Sequence, residues 1–295
     1  MNENKTIEQL NAKGGGFYYA STIAIYVMLS FLGQALMSAL AEKTSVVYLA
    51  VCSTFSTLSF VLIMTYVLAF VKVKPTKLLG ESKGVAFLPI SLLLSCGMFL
   101  GLGYVNDAIA SIFIGWGFNV GGLSVPLDTI GQYLLFVVVL AILPAISEEL
   151  FFRGLILNSL SGAKKIYAVL VSALCFSLYH GSVAQLVYQF IYGVALGCLF
   201  LCAKSIIPCI VAHFLNNFAI LTFTFFGVNV DLYNPLLIVI GVVCLACFST
   251  LTYFRLRKRK NDKQIVKGEL KSFFFPFAIF GIIVCLSLAI GGMVG

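Results

Sequence analysis

The sequence predicts an all-α polytopic membrane protein with eight to nine transmembrane helices that enclose a polar intramembrane cavity. Of its 295 residues 61% are hydrophobic and only 10% are charged, and uncharged apolar stretches long enough to cross a bilayer recur along the chain. Soluble domains carry about a quarter charged residues. The composition therefore excludes a soluble enzyme, a disordered chain and a coiled coil.

Nine apolar segments without Asp, Glu, Lys or Arg are candidate spans. They are 17–40, 46–71, 85–104, 130–147, 166–180, 184–203, 206–226, 235–254 and 273–294. The fifth is short for a spanning helix, which leaves eight or nine spans. The first segment follows a polar stretch and is too long for the apolar core of a signal peptide, so we expect no cleavable signal.

The distribution of Lys and Arg predicts the orientation of the spans. With a cytoplasmic N-terminus, only Lys43 lies in an outer connection. The inner segments carry Lys72, Lys74, Lys77, Lys83, Arg153, Lys164, Lys165, Lys204 and the eight basic residues of 255–271. This asymmetry follows the positive-inside rule. The basic stretch is thus predicted to be a cytoplasmic loop that contacts anionic lipid headgroups, not a nucleic-acid site.

A few ionisable residues fall in or beside the spans. Glu148, Glu149 and Arg153 end the fourth segment, His180 ends the fifth, and His213 lies inside the seventh; the chain has no other histidine. A charged side chain at mid-bilayer costs ~2.5–3.5 kcal/mol, so such residues usually face an interior cavity and have a function. Their presence on or beside three core segments, the fourth, fifth and seventh, predicts one polar cluster in the bundle interior.

Residue spacing suggests how the cluster is arranged. Arg153 follows Glu149 by four residues, so a helix stacks the two side chains as an ion pair and leaves Glu148 on another face. His213 and Asn217 have the same spacing and share a face. Each of these groups also has a structural alternative. Glu149 and Arg153 could form an ion pair at the surface, a histidine at the end of a span could lie at the membrane interface, and Asn217 could join two helices by hydrogen bonds.

The residue types suit the hydrolysis of a peptide bond. Glu148 can take a proton from water while His180 holds the attacking oxygen. His213 and Asn217 can donate hydrogen bonds to the oxyanion that forms. Glu148, His180 and His213 could equally hold a Zn²⁺ ion that generates hydroxide, and the residues alone do not choose between the two.

Three ordered motifs resemble a known family. EExxxR at 148–153, FxxxH at 176–180 and HxxxN at 213–217 are similar to the CPBP intramembrane proteases, which include type II CAAX prenyl endopeptidases and bacteriocin-immunity-type proteins. The likeness covers 145–219, about a quarter of the chain. It implies a helical membrane protease, of metallo or glutamate type, whose active site faces a cavity open to the cytoplasmic side.

The resemblance also implies a role for each site residue. Glu148 and His180 would activate the water, His213 and Asn217 would stabilise the oxyanion, and Glu149 with Arg153 would support the site. Gly181 and Ser182 follow the second motif, where eukaryotic members tend to have further histidines. This departure, with Asn217 ending the third motif, favours the prokaryotic branch and a prokaryotic plasma membrane.

A membrane-associated peptide or protein is the expected substrate, and membrane lipids are the other expected partner. We predict four parts: a cytoplasmic tail (1–16), variable N-terminal helices (17–129), a catalytic core (130–226), and C-terminal helices (227–295) with the basic loop 255–272. Two other function classes stay open. The motifs could serve a non-proteolytic immunity or regulatory scaffold, or Glu148 and Glu149 could relay protons in a coupled transporter.

Overall fold

A computed structural model of the chain describes residues 10–118, 120, 125–228, 230–258 and 266–294. Eight helices of this part are long and apolar enough to cross a membrane, and one apolar helix is shorter. The predicted all-α polytopic membrane fold is confirmed. The helices are α1 Ala12–Leu40, α2 Val46–Ala69, α3 Pro75–Leu79, α4 Leu88–Gly115, α5 Ile130–Leu157, α6 Lys165–Tyr179, α7 Val183–Ala203, α8 Ile207–Phe225, α9 Pro235–Arg257 and α10 Glu269–Met293.

Polar caps mark where several spans begin. The side chains of Asn11, Ser45 and Asn234 accept hydrogen bonds from backbone N–H groups in the first turns of α1, α2 and α9. Thr129 and Gln132 form a reciprocal capping box at the start of α5. These side chains satisfy N–H groups that have no partner within the helix, so each apolar run begins at a defined residue.

The fourth span is longer than predicted. The uncharged stretch suggested an end at Ser147, but α5 continues to Leu157, so Glu148, Glu149 and Arg153 lie inside the helix. The predicted end at Ser147 is wrong because hydropathy treats a charged residue as the end of a span, whereas here Glu149 and Arg153 pair with each other and Glu148 is buried beside His213. Arg153 is therefore part of a helix and not of a connection, and it gives no information on orientation.

The third span also extends further than its uncharged stretch. It was predicted to end at Tyr104, yet α4 continues to Gly115. Asp107 consequently lies on the last turns of a helix and not in the connection that follows. The exposed position of its side chain explains why the helix tolerates it.

Helix α5 is central to the bundle, since it packs against α2, α6, α7 and α8. Its hydrogen-bonding pattern widens to π-helix at Val137–Ile142 and at Leu150–Leu157, on either side of the paired glutamates. Such widened turns occur often at functional sites. They rotate the following side chains relative to a regular α-helix, and so help to set where Glu148, Glu149 and Arg153 point.

Glycines let two pairs of helices approach closely. A Cβ atom on Gly193 of α7 would lie 3.0 Å from the Cα and Cβ atoms of Ala173 on α6. On α4, a Cβ atom on Gly101 would lie 2.9 Å from the backbone of Gly241 on α9. Small residues at such positions allow backbones to pack in direct contact within a membrane.

The connections at the two ends of the bundle differ in charge. Among the described residues, the connections 70–87, 158–164, 204–206, 258 and 266–268 lie at one end, which we call the basic end. The connections 41–45, 116–118, 120, 125–129, 180–182, 226–228 and 230–234 lie at the other, which we call the acidic end. The connections of the acidic end carry one basic residue, Lys43, and three acidic residues, Glu42, Asp128 and Asp231. At the basic end, backbone hydrogen bonds join the connections: Ile206 N–H donates to Leu79, and Glu81 N–H donates to Lys204.

Candidate active site

Glu149 and Arg153 form a buried ion pair within α5. The Arg153 Nη1 atom lies 2.7 Å from Glu149 Oε1, and both side chains are 0% exposed. Arg153 also donates from Nη2 to the backbone carbonyl of Gly193 at 3.3 Å, and its guanidinium lies 4.4 Å from the centre of the Phe176 ring. The predicted i, i+4 pair thus lies in the bundle interior and connects α5 to α6 and α7.

His213 of α8 faces both glutamates. Its Nδ1 donates to Glu149 Oε1 at 2.9 Å, and its Nε2 lies 4.0 Å from Glu148 Oε2. Edge-on contacts with Phe176 and Tyr192, at 5.8 and 6.0 Å between ring centres, fix the plane of the imidazole. Glu149 Oε1 therefore accepts from Arg153 and His213 together, and Nε2 is directed at the second carboxylate.

His180 follows the last residue of α6 and is oriented by its own helix. Its Nδ1 donates to the Phe176 carbonyl at 2.9 Å. Because a carbonyl only accepts, the neutral ring keeps its lone pair on Nε2. The Phe176 ring contacts the imidazole at 4.8 Å between centres.

The two asparagines of the third motif differ in their surroundings. Asn217 is half-buried and donates from Nδ2 to the Leu140 carbonyl of α5 at 3.2 Å. Asn216 is buried, and its Oδ1 accepts from the Tyr188 hydroxyl at 2.8 Å. One N–H of the Asn217 amide is thereby committed to α5, which leaves the second N–H for another acceptor.

A cavity of about 500 Å³ lies between α4, α7 and α8, beside this cluster. We call it the amide cavity, because its lining includes the amide side chains of Asn106, Gln185, Gln189, Asn216 and Asn217. His180 and Tyr188 line it as well. His180 also lines a second cavity, of about 600 Å³, between α1 and α6. The predicted polar intramembrane cavity is therefore present, and His180 is the site residue that borders both spaces.

The side chains do not fit a metal site as they are arranged. Two ligands of a tetrahedral Zn²⁺ ion are about 3.3 Å apart, since each bond is about 2.0 Å long. His213 Nε2 and Glu148 Oε2 are 4.0 Å apart, and no three His, Cys, Asp or Glu residues in the described part are grouped closely enough to hold an ion. The predicted set of Glu148, His180 and His213 is thus not assembled here.

The structure brings the predicted site residues onto three facing elements. Glu148, Glu149 and Arg153 come from α5, His180 from the end of α6, and His213 with Asn217 from α8. Sequence reasoning missed Tyr188 and Gly193, which touch the cluster only through tertiary packing. It also missed Asn216, although a second asparagine three residues after His213 was a signal that could have been followed.

The helical bundle thus places two buried carboxylates, a buried guanidinium, the buried imidazole of His213 and the half-buried imidazole of His180 beside an amide-lined cavity. Residues 130–219 match the family model of the Rce1-like proteins, described as type II CAAX prenyl endopeptidase Rce1-like. The match confirms the predicted similarity to CPBP intramembrane proteases, and it spans every predicted site residue. No curated protein matches the chain.

Proposed function

We propose that the protein is an intramembrane endopeptidase that hydrolyses a peptide bond of a membrane-associated peptide or protein. One observation carries the proposal. Glu148 Oε2 is buried, has no hydrogen-bond partner among the described residues, and lies 4.0 Å from His213 Nε2. An unpartnered carboxylate oxygen inside a membrane bundle is costly, so a functional role explains its retention better than a structural one.

The attacking water is held between Glu148 and His180 in this proposal. One O–H donates to Glu148 Oε2, and the other donates to the lone pair on His180 Nε2. As the water oxygen bonds to the substrate carbonyl carbon, Glu148 takes the first proton and becomes a carboxylic acid. His180 orients the water and does not need to change its protonation state.

His213 and Asn217 stabilise the oxyanion. Two ionised glutamates and one guanidinium give the cluster a net charge of −1, and one further proton, carried by His213 Nε2, neutralises it. When that proton is on His213, Nε2–H donates to the developing oxyanion. The second N–H of Asn217, which Leu140 does not use, supplies the other donor.

Collapse of the tetrahedral intermediate completes the reaction. The carbon–nitrogen bond breaks, Glu148 returns its proton to the leaving amine, and the new carboxyl terminus departs with the oxygen from water. Glu149 and Arg153 touch no substrate in this scheme. Glu149 holds His213 through Nδ1, and Arg153 balances the charge of Glu149, so both are positioning residues.

The cellular setting is part of the same proposal. The protein would lie in a prokaryotic plasma membrane with its N-terminus in the cytoplasm, and the basic end would contact anionic lipid headgroups. Trimming of membrane-associated peptides or proteins fits this setting, because a prenylation pathway is not required.

The test compares peptide termini in host membranes that contain the wild type, Glu148→Gln or Glu81→Gln at matched levels. Glu81 is a suitable control because its ion pair with Lys204 is exposed. We expect specific new termini with the wild type and with Glu81→Gln, and their loss with Glu148→Gln. Termini that persist in Glu148→Gln would contradict the proposal and favour a scaffold that binds without cutting.

A further inference from the structure

A third cavity, of about 390 Å³, lies at the basic end of the bundle, where α1 begins. It lies between the first two turns of α1, Val71 in the connection after α2, and Phe277 of α10. We call it the α1 cavity. No residue of the candidate active site lines it, and its volume is in the range of sites that bind small ligands.

Tyr18 directs its hydroxyl into the α1 cavity. The side chain is only 6% exposed, yet the hydroxyl has no hydrogen-bond partner among the described residues. Side chains of a helix lean towards its N-terminus, and the Tyr18 oxygen would lie 3.7 Å from a Cβ atom on Gly14, one turn earlier. Because Gly14 has no side chain, the hydroxyl stays open to the cavity. A buried hydroxyl without a partner costs free energy, so an acceptor on a ligand explains its retention.

The start of α1 adds positive charge to the same cavity. Lys13 lines it, and this lysine is exposed. In the first turn, the N–H groups of Gly14 and Gly15 donate to the side chain and the carbonyl of Asn11, whereas the N–H of Lys13 has no partner among the described residues. Such N–H groups and the helix dipole favour an anion at a helix N-terminus. No Asp or Glu among the described residues lines the cavity, so nothing in its described lining repels an anion.

The other walls of the α1 cavity are apolar. Phe17 is 42% exposed and contacts the half-buried Phe277 edge-on, at 5.2 Å between ring centres. Val71 completes this wall and immediately precedes the exposed Lys72 at the basic end. Hydrogen-bond donors and a positive charge thus adjoin an apolar surface at the end of a membrane span. A free inorganic anion has no use for such a wall, whereas a lipid carries a phosphate next to its acyl chains.

We propose that the α1 cavity binds the phosphodiester headgroup of an anionic phospholipid. The ammonium and N–H of Lys13 and the hydroxyl of Tyr18 donate to the phosphate oxygens, and the acyl chains begin against Phe17 and Phe277. A phosphatidylcholine headgroup binds less well, because Lys13 repels its trimethylammonium group. The bound lipid joins α1, α10 and the connection after α2. The site does not depend on the proposed endopeptidase function, and it is more specific than a general attraction of the basic end to lipid.

Native mass spectrometry tests the site without requiring activity. The purified protein in detergent is titrated with phosphatidylglycerol or with phosphatidylcholine of the same acyl chains, as wild type, Tyr18→Phe, Lys13→Gln and Lys165→Gln. Lys165 is the control because it is exposed on the first turn of α6 and does not line the cavity. For phosphatidylglycerol we expect a Kd about 10-fold higher in Tyr18→Phe, which loses a hydrogen bond to a charged group. Lys13→Gln should raise it about 3-fold, since the lysine is exposed, and Lys165→Gln should not change it.

Three results would overturn the lipid site. Equal Kd values of all four proteins for phosphatidylglycerol would show that the lipid binds elsewhere, and equal Kd values of the wild type for both lipids would remove the preference for an anion. Displacement of phosphatidylglycerol by an equal concentration of inorganic phosphate would assign the site to a free anion. Melting temperatures on the same samples provide a second readout. A ligand stabilises only the folded protein that binds it, so phosphatidylglycerol should raise the Tm of the wild type and of Lys165→Gln more than that of Tyr18→Phe.

Discussion

Glu149 holds His213 in place: Oε1 of the glutamate accepts from Nδ1 of the histidine at 2.9 Å. The same oxygen accepts from Arg153 at 2.7 Å. One carboxylate thus links α5 to α8 and fixes which nitrogen of His213 faces Glu148. This arrangement distinguishes the two adjacent glutamates. Oε1 of Glu149 binds both Arg153 and His213, whereas Glu148 faces Nε2 of His213 at 4.0 Å without a hydrogen bond. Oε2 of each glutamate is buried and has no hydrogen-bond partner among the described residues.

The buried pair should show strong energetic coupling. Removal of one partner leaves an uncompensated charge, so we expect Glu149→Met or Arg153→Met alone to reduce stability by ~3–5 kcal/mol. The double variant should lose less than the sum of the two. Unfolding of all four proteins in detergent measures the coupling, and additive losses would show that the two side chains stabilise the fold independently.

His180 should act through Nε2 and not through its link to Phe176. His180→Asn keeps a donor near the position of Nδ1 but has nothing at Nε2, so we expect kcat to fall by ~10²–10⁴. His180→Gln places an acceptor near Nε2 and should retain more activity. If the Asn variant is the more active of the two, the proposed contact between His180 and the water is wrong.

Asn217 should affect the chemical step more than binding. Loss of an oxyanion donor typically lowers kcat by ~10²–10³, so Asn217→Ala should do so with little change in KM. The hydrogen bond to Leu140 gives this residue a structural role as well. A melting temperature recorded on the same samples separates the two roles, because a purely structural role would lower kcat only in proportion to the folded fraction lost.

Chelation tests the metal question directly. Since the described His and Glu side chains do not form a metal-binding group, we expect cleavage to persist after dialysis against a chelator and not to rise on addition of Zn²⁺. Loss of activity on chelation, with recovery on Zn²⁺ and not on Mg²⁺, would show that Glu148, His180 and His213 move together around an ion.

Much of the fold and of the site follows from the sequence. Apolar segments predict the spans, and i, i+4 spacing predicts the contact of Glu149 with Arg153. The end of α5 was not predictable, because hydropathy treats Arg153 as a charge in lipid whereas Glu149, Gly193 and Phe176 surround it. The contact of Tyr188 with Asn216 depends on how α7 packs against α8, and local spacing carries no information about that packing.

The most direct test of the central claim uses purified protein in lipid nanodiscs with a membrane-associated peptide. Wild type and Glu148→Gln, shown to have the same melting temperature, are compared for peptide cleavage by mass spectrometry. We predict cleavage by the wild type and a loss of ~10²–10⁴ in rate for Glu148→Gln, the range expected for removal of a general base. Equal cleavage by both proteins would contradict the assignment of Glu148 as the group that activates water.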